Sequence, residues 1–281
     1  MLAIALLHFV VFYLGVNFNS ILLAFQDKDT GAFTFDNFAH FFRDLTTPDS
    51  GFEYYFKNTF KYYLTNIFIT LPLSYVLSFF LYKKIFMGKA FRVIYVLPMI
   101  ISSVVFFGVY KELLSNNGIL QQLYSAITGK SAPSFIYDPA YTTTTLLVYG
   151  VWTGMGLNLI MFTGGLFRIP EEVFESAQID GAGMFREMIS IAFPLTWPTF
   201  STLLLTSAVG IFSASGPILL VSQDPDRKIW TLSYWLYNEV IKASDGNYNY
   251  AAAYGIILTL LTMPIFMIVQ KIRKKIPDSE Y

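Results

Sequence analysis

Six apolar runs, each about as long as a helix that crosses a bilayer, constrain this chain more than any other feature. They fall near residues 2–25, 60–82, 93–110, 141–163, 200–221 and 251–269, and Lys61 is the one charge inside them. A hydrocarbon core takes ~20 residues of helix. Buried helices of a large soluble protein rarely come as six runs of this length. Composition points the same way: 54% of the residues are hydrophobic and 14% are charged, against about 25% charged in soluble domains. Much of the surface therefore faces lipid. The expected fold is all-α: one polytopic membrane domain over 1–281, with six transmembrane helices and a hairpin of short helices on the cytoplasmic side.

Basic residues set the orientation. Lys83, Lys84, Lys89 and Arg92 join the second run to the third, and Lys271, Arg273, Lys274 and Lys275 follow the sixth. Both segments are expected in the cytoplasm, which puts both termini there. Lys61 lies near the end of its run, where its amine can snorkel to the interface. Segment 26–59 then lies outside with its acids Asp27, Asp29, Asp36, Asp44, Asp49 and Glu53, as do 111–140 and 222–250. Tyr54, Tyr55, Tyr62, Tyr63, Trp230, Trp235 and Tyr237 fall near the outer boundary, as an aromatic belt would. The N-terminus is apolar from Leu2 and has no basic leader, so it reads as a first span rather than a signal peptide.

The long cytoplasmic connection is 164–199, and a loop of that length is usually structured or functional. Pro170 suits a first helical position, and Glu171 and Glu172 complement the positive helix end. Val173, Phe174 and Ala177 form an apolar stripe at helical spacing. Asp180-Gly181 permits a turn, and a second short helix is expected to run to about Ile191 and stop at Pro194. Two short helices around a glycine bend would present a small apolar face flanked by acids, a shape that suits a groove on another protein.

This stretch resembles the EAA loop of importer permeases of the ATP-binding-cassette superfamily: Glu-Ala-Ala, three residues, Gly, nine residues, then Ile-x-Leu-Pro. Glu175, Ala177, Gly181, Ile191 and Pro194 fall in register, with Ser176 and Phe193 as mild replacements. The resemblance covers nearly the whole chain. Phe91-Arg92-Val93-Ile94-Tyr95-Val96-Leu97-Pro98 and Trp152-Thr153-Gly154, followed by Ile169-Pro170, resemble the carbohydrate-uptake group, nearest its maltose F-type and multiple-sugar-type permeases. It implies that Glu175, Ser176, Ala177, Asp180, Gly181, Ala182 and Pro194 over 169–194 couple the permease to an ATPase. It also implies a second homologous permease, two ATPase subunits that carry ATP and Mg, an extracytoplasmic solute-binding protein, and residence in the cytoplasmic (inner) membrane.

A sugar needs hydrogen bonds and a flat apolar face against aromatic rings. Uncharged polar and aromatic residues inside the runs are the candidates: Ser103, Trp152, Gly154, Asn158, Phe212, Ser213 and Ser215. Ser103, Gly154 and 212–215 lie nearest the places where the resemblance puts sugar contacts. Small and hydroxyl residues also pack helices in membranes, so packing competes with binding at each.

Other chemistry finds no support in the chain. Zero net charge offers nucleic acid no basic field, and zero cysteines remove disulfides and thiol nucleophiles. His8 and His40 cannot complete a three-ligand zinc site alone. Gly129-Lys130-Ser131 imitates the end of a phosphate loop, but Tyr124 stands where the first glycine belongs. The chain is expected to be a transport subunit, with no cofactor of its own and no catalytic residue. A permease for another solute, such as glycerol phosphate, and an ion-coupled transporter are the alternatives; the second needs an intramembrane charge.

Overall fold

A computed structural model describes residues 2–48, 50–115, 117–213, 216–221, 228–242 and 248–275. The described residues are helical apart from turns and one isolated bridge between Gln26 and Phe33. The helices are α1 (Ile4–Ala24), α2 (Asp36–Thr46), α3 (Phe52–Tyr82), α4 (Gly88–Ile100), α5 (Ser103–Leu113), α6 (Ile119–Thr128), α7 (Pro139–Leu166), α8 (Glu171–Ile179), α9 (Met184–Leu195), α10 (Trp197–Val209), α11 (Ile218–Val221), α12 (Leu232–Lys242) and α13 (Tyr248–Arg273).

Four of these, α1, α3, α7 and α13, are long and apolar enough to cross a membrane. The bent pair α9–α10 makes a fifth if counted as one span. The structure differs from the expected runs in three places. The 93–110 run is two helices, because Ile101 and Ser102 take extended backbone and Ser102 starts α5 as its N-cap. The 200–221 run is shorter as a helix: α10 ends at Val209, a tight turn covers Ile211–Ser213, and α11 follows as a separate short helix. Its membrane-length partner lies upstream in α9, which meets α10 at 68° across Thr196. The second run also begins earlier, since α3 starts at Phe52 after Gly51 in the left-handed region (φ 83°).

Prolines explain the local shape. Pro139 sits in the first turn of α7, where Asp138 accepts a hydrogen bond from the Ala140 N–H, as proline and aspartate at a helix start should. Pro72 and Pro194 lie inside helices, where each removes a backbone donor and crowds the preceding turn. Each directly follows a widened π-turn, Asn66–Thr70 and Glu187–Ala192, and the extra residue in such a turn accommodates the ring. For that reason the helix expected to stop at Pro194 continues to Leu195. Pro98 in α4 frees the carbonyl of Ile94, and Trp152 Nε1 of α7 donates to that oxygen at 3.2 Å.

Two apolar cores lie at opposite ends of α3 and α7. The aromatic end gathers Phe41, Tyr55, Tyr110, Tyr149, Trp230, Trp235 and Tyr254. The basic end, next to Lys83, gathers Tyr75, Phe79, Phe162, Leu166, Phe174 and Met188. The expected aromatic belt is thus partly interior: Tyr55, Trp230 and Trp235 are buried, with Tyr55 stacked on both tryptophans at 6.0 and 6.3 Å. Tyr54 and Tyr237 stay exposed. Rings that bury each other gain more than rings left at a surface. Between the ends α7 passes close to its neighbours through glycine. A Cβ at Gly165 would meet Thr199 Oγ1 at 2.8 Å, and one at Gly156 would meet the Tyr95 carbonyl at 3.0 Å. Outside the bundle, Asp27 is held below the ordinary carboxylate range, first by the Thr30 hydroxyl and then by backbone N–H groups.

Candidate functional site

Two places could carry function: the α8–α9 hairpin at the basic end and a polar cavity in the middle of the bundle.

The hairpin is built around Gly181. Its φ of +80° is the left-handed conformation that glycine adopts without a side-chain penalty. The Gly181 N–H donates to Gln178 O at 3.0 Å and the Ala182 N–H to Ala177 O at 2.9 Å, the paired bonds of a Schellman ending. Pro170 is the N-cap of α8 rather than its first residue, and Glu171 and Glu172 fill the first turn. Phe174 is buried, and Val173, Ala177 and Ala182 are half-buried. Glu175, Ser176, Asp180, Gly181 and Pro194 are exposed. Ile179, 86% exposed, Met184 and Phe185 form an apolar tip among Glu171, Glu172, Glu175 and Asp180.

What fastens this hairpin was not singled out from the residues. Lys83, at the end of α3, pairs with the carboxylate of Glu187, which is 3% exposed. The Lys83 ammonium also lies 4.5 Å from the centre of the Phe174 ring, close enough for a cation–π attraction. Tyr75 of α3 donates its hydroxyl to the Met188 carbonyl at 2.6 Å. Tyr82 packs on Phe174 and Phe167, with ring centres at 5.6 and 5.3 Å. Ion pair, ring and hydroxyl join α8 and α9 to the end of α3. A clue was present in the sequence: Glu187 is an acid within the otherwise apolar stretch Met184–Leu195, apart from Arg186.

The substrate candidates are not brought together. Gly154 and Asn158 line a cavity of about 390 Å³ between α3 and α7. Trp152 points elsewhere, with its ring 4.8 Å from Phe106 and its N–H on Ile94 O. Ser103 is exposed at the start of α5, and its carbonyl accepts from the Tyr149 hydroxyl at 3.5 Å. Phe212 packs against the aromatic core, Ser213 is exposed, and Ser215 lies outside the described residues.

Around Gly154 and Asn158 the cavity mixes polar side chains with the apolar Met99, Leu147, Val151 and Leu157. Tyr62, Thr65, Asn66 and Thr70 line it from α3, and Thr153 joins from α7. No charged side chain is among the lining residues. A larger hollow of about 570 Å³ on the α4 side is walled mainly by apolar groups such as Ile69, Leu73, Val148 and Trp152, and so suits acyl chains better than a polar solute. In the smaller cavity the carboxamides of Asn66 and Asn158 bond to no protein group, and the Tyr62 hydroxyl is buried without a partner, among the described residues. A buried polar group without a partner costs about 1–3 kcal/mol. The carboxamides of Asn66 and Asn158 are open to a polar occupant, whereas the Tyr62 hydroxyl is sealed from the cavity beside Gly216.

Against known proteins, the chain is similar to the arabinooligosaccharides transport system permease protein AraP of Bacillus subtilis (strain 168). Identity is 24% over 276 residues, covering 95% of this chain and 85% of that protein. It is 28% identical over 199 residues to the maltose/maltodextrin transport system permease protein MalF of Escherichia coli (strain K12), covering 70% of this chain but 38% of MalF. In fold it is similar to a chain in the crystal structure of a bacterial ABC transporter involved in the import of the acidic polysaccharide alginate. There the TM-score is 0.84 at 22% identity, with 99% and 95% of the two chains covered. The sequence model of the family described as binding-protein-dependent transport system inner membrane component matches residues 62–276, and the chain belongs to that family.

Proposed function

We propose that this protein is the membrane-spanning permease subunit of an ATP-driven importer for a sugar or oligosaccharide. It works beside a second, homologous permease. An extracytoplasmic binding protein delivers the solute, and two ATPase subunits carrying ATP and Mg power the cycle. The single observation that carries this reading is the α8–α9 hairpin: an exposed apolar tip ringed by acids, shaped by Gly181 and fastened to α3. A hairpin so fastened can pass a push from a docked ATPase to α3, and α3 lines the cavity. ATP drives the cycle only if it stabilises one arrangement of these helices over the other.

In this reading Glu175, Ser176, Ala177, Asp180, Gly181 and Ala182 meet the ATPase, and Pro194 marks the return to the membrane. The chain crosses six times with both termini in the cytoplasm. The broken α4–α5 pair and the bent α9–α10–α11 series supply the third and fifth crossings. The relatives' names, arabinooligosaccharides for one and maltose/maltodextrin for the other, support a carbohydrate cargo. The uncharged cavity lining favours a neutral solute over glycerol phosphate. The buried Lys83–Glu187 pair is a charge at the end of a span, but each partner neutralises the other away from the cavity lining, which disfavours an ion-coupled path.

Sugar-stimulated ATP hydrolysis by the reconstituted complex tests the proposal. Glu175→Arg and Gly181→Pro should leave the complex assembled and abolish the stimulation. Proline cannot reach φ +80° and has no N–H for Gln178. Two variants that behave like wild type would remove the main support for an ATP-driven machine.

A further inference from the structure

The turn between α3 and α4 covers 83–87 and puts two non-glycine residues, Lys84 and Met87, in the left-handed region, with φ of 57° and 59°. Side chains seldom adopt it. The tip of this turn is apolar and bare: Phe86 is 89% exposed and Met87 57%. Cations surround it. Lys83 is taken by Glu187, but Lys84, Lys89 and Arg92 are exposed, and none has an acid partner among the described residues. No Asp or Glu occurs between Glu53 and Glu112. α4 therefore begins with no acid in its first turn, and the positive end of its dipole adds to Lys89 and Arg92 instead of offsetting them.

Lys89, Arg92 and Val96 follow at steps of three and four residues, so they share one face of α4. That face passes from charge to hydrocarbon. Arg92 and Val96 line a hollow of about 220 Å³ together with Leu81 of α3 and Leu159, Ile160 and Thr163 of α7. A cation that served only to orient the chain would need nothing but water beside it. Arg92 instead borders walls that are hydrocarbon apart from Thr163. An unpaired guanidinium joined to an apolar hollow matches a molecule with an anion at one end and an alkyl chain at the other.

We infer that Lys89 and Arg92 hold the headgroup phosphate of an anionic phospholipid from the cytoplasmic leaflet, with its acyl chain against Val96, Leu159 and Ile160. Phe86 and Met87 enter the headgroup layer beside it, as apolar side chains among cations do at an interface. The guanidinium fork matches two phosphate oxygens, and Lys89 adds a point charge. Basic pockets between membrane helices on the cytoplasmic side suit such headgroups. The site goes beyond the importer reading and shares with it only the orientation, which puts the start of α4 at the cytoplasmic face.

The test uses the full complex in mixed vesicles of phosphatidylcholine and phosphatidylglycerol. Because the chain contains no cysteine, Ile160→Cys, beside partner subunits freed of cysteine, carries one fluorophore at the hollow. Val109→Cys, exposed on α5 near the aromatic end, carries the control. Bromine on the acyl chains of one lipid or the other quenches a fluorophore that it touches. At 160 brominated phosphatidylglycerol should be preferred about twentyfold over brominated phosphatidylcholine, since each of two cations contributes about fivefold. At 109 the two should quench alike. Lys89→Gln and Arg92→Gln should each lower the preference about fivefold, and Arg92→Lys should keep most of it. A purely structural role would lower the yield of complex and leave the preference unchanged, which overturns the inference. Inorganic phosphate in excess, at constant ionic strength, should displace nothing; displacement would mark a site for free phosphate and overturn the lipid. Equal quenching by the two lipids, or quenching by neither because another subunit covers 160, also overturns it. Sugar-stimulated ATP hydrolysis by the same vesicles keeps the two readings apart. Hydrolysis without a lipid preference removes the lipid site alone, and a preference without hydrolysis counts against the importer alone.

Discussion

The two ends of the bundle are held together by different means. At the aromatic end the fastening is spread out. Asn58 donates to the carbonyls of Lys228 and Trp230 at 2.7 and 3.0 Å, Thr59 accepts from the Leu232 N–H at 3.0 Å, and Asn249 and Asn37 both donate to Gln26 O, at 2.8 and 2.9 Å. Tyr250 bonds to Asp44, and aromatic rings pack edge-on and tilted around these bonds. At the basic end one ion pair and one tyrosine hydroxyl attach the hairpin, and Phe174, Met188 and Ala192 bury its apolar face. The first design tolerates the loss of any one member. The second concentrates the connection in a few groups, which is how a part that must transmit motion differs from one that must hold still.

Breaking the pin should have the largest effect. Lys83→Ala leaves the Glu187 carboxylate buried and alone, and removing one partner of a buried pair costs about 3–5 kcal/mol. Thermal unfolding of the purified complex should register it, and Lys83→Met combined with Glu187→Met should recover most of the loss, since the burial penalty then disappears with the charges. Phe174→Ala comes next, at about 3 kcal/mol for an emptied ring site, with protease cleavage near 180–183 as a second readout of a loosened hairpin.

The same treatment at the aromatic end should do less. Asn58→Ala removes two hydrogen bonds, one from the buried Trp230 carbonyl and one from that of the exposed Lys228, and should cost about 2 kcal/mol, with ATPase coupling unchanged because the surrounding rings persist. Trp152→Phe, between the two ends, frees one carbonyl and should cost about 1 kcal/mol. Ser78→Ala should be smallest, near 0.6 kcal/mol, the usual worth of a hydroxyl bond between membrane helices. An Asn58 effect larger than that of Lys83 would abolish the contrast between the ends.

Sequence reading captured what local chemistry decides. The apolar runs locate α1, α3, α7 and α13, and Asp180-Gly181 makes its turn. What it missed depends on partners distant in the chain. Lys83 was counted as a topology signal, yet its charge is spent on Glu187. Tyr55 and Trp235 were placed at a lipid boundary because their sequence neighbours suggested it, and only the packing of α3 on α12 buries them. The π-turn at Asn66–Thr70 had Pro72 as its one outward sign. Trp152, one of the sugar candidates, donates its N–H to the carbonyl that Pro98 frees, a contact no reading of its own run could show.

That contact also constrains how the protein is made. Pro98 and the carbonyl it exposes at Ile94 are synthesised before the indole that satisfies it, 58 residues later. At about 5–20 residues per second the delay is roughly 3–12 s, during which a peptide oxygen in a membrane segment lacks its native donor. Release of α4 into lipid during that interval would be costly, so biogenesis favours holding it beside water or the insertion machinery until α7 arrives. The chain's proline and tryptophan thereby set an order of assembly: the earlier helix settles only after the later one is beside it.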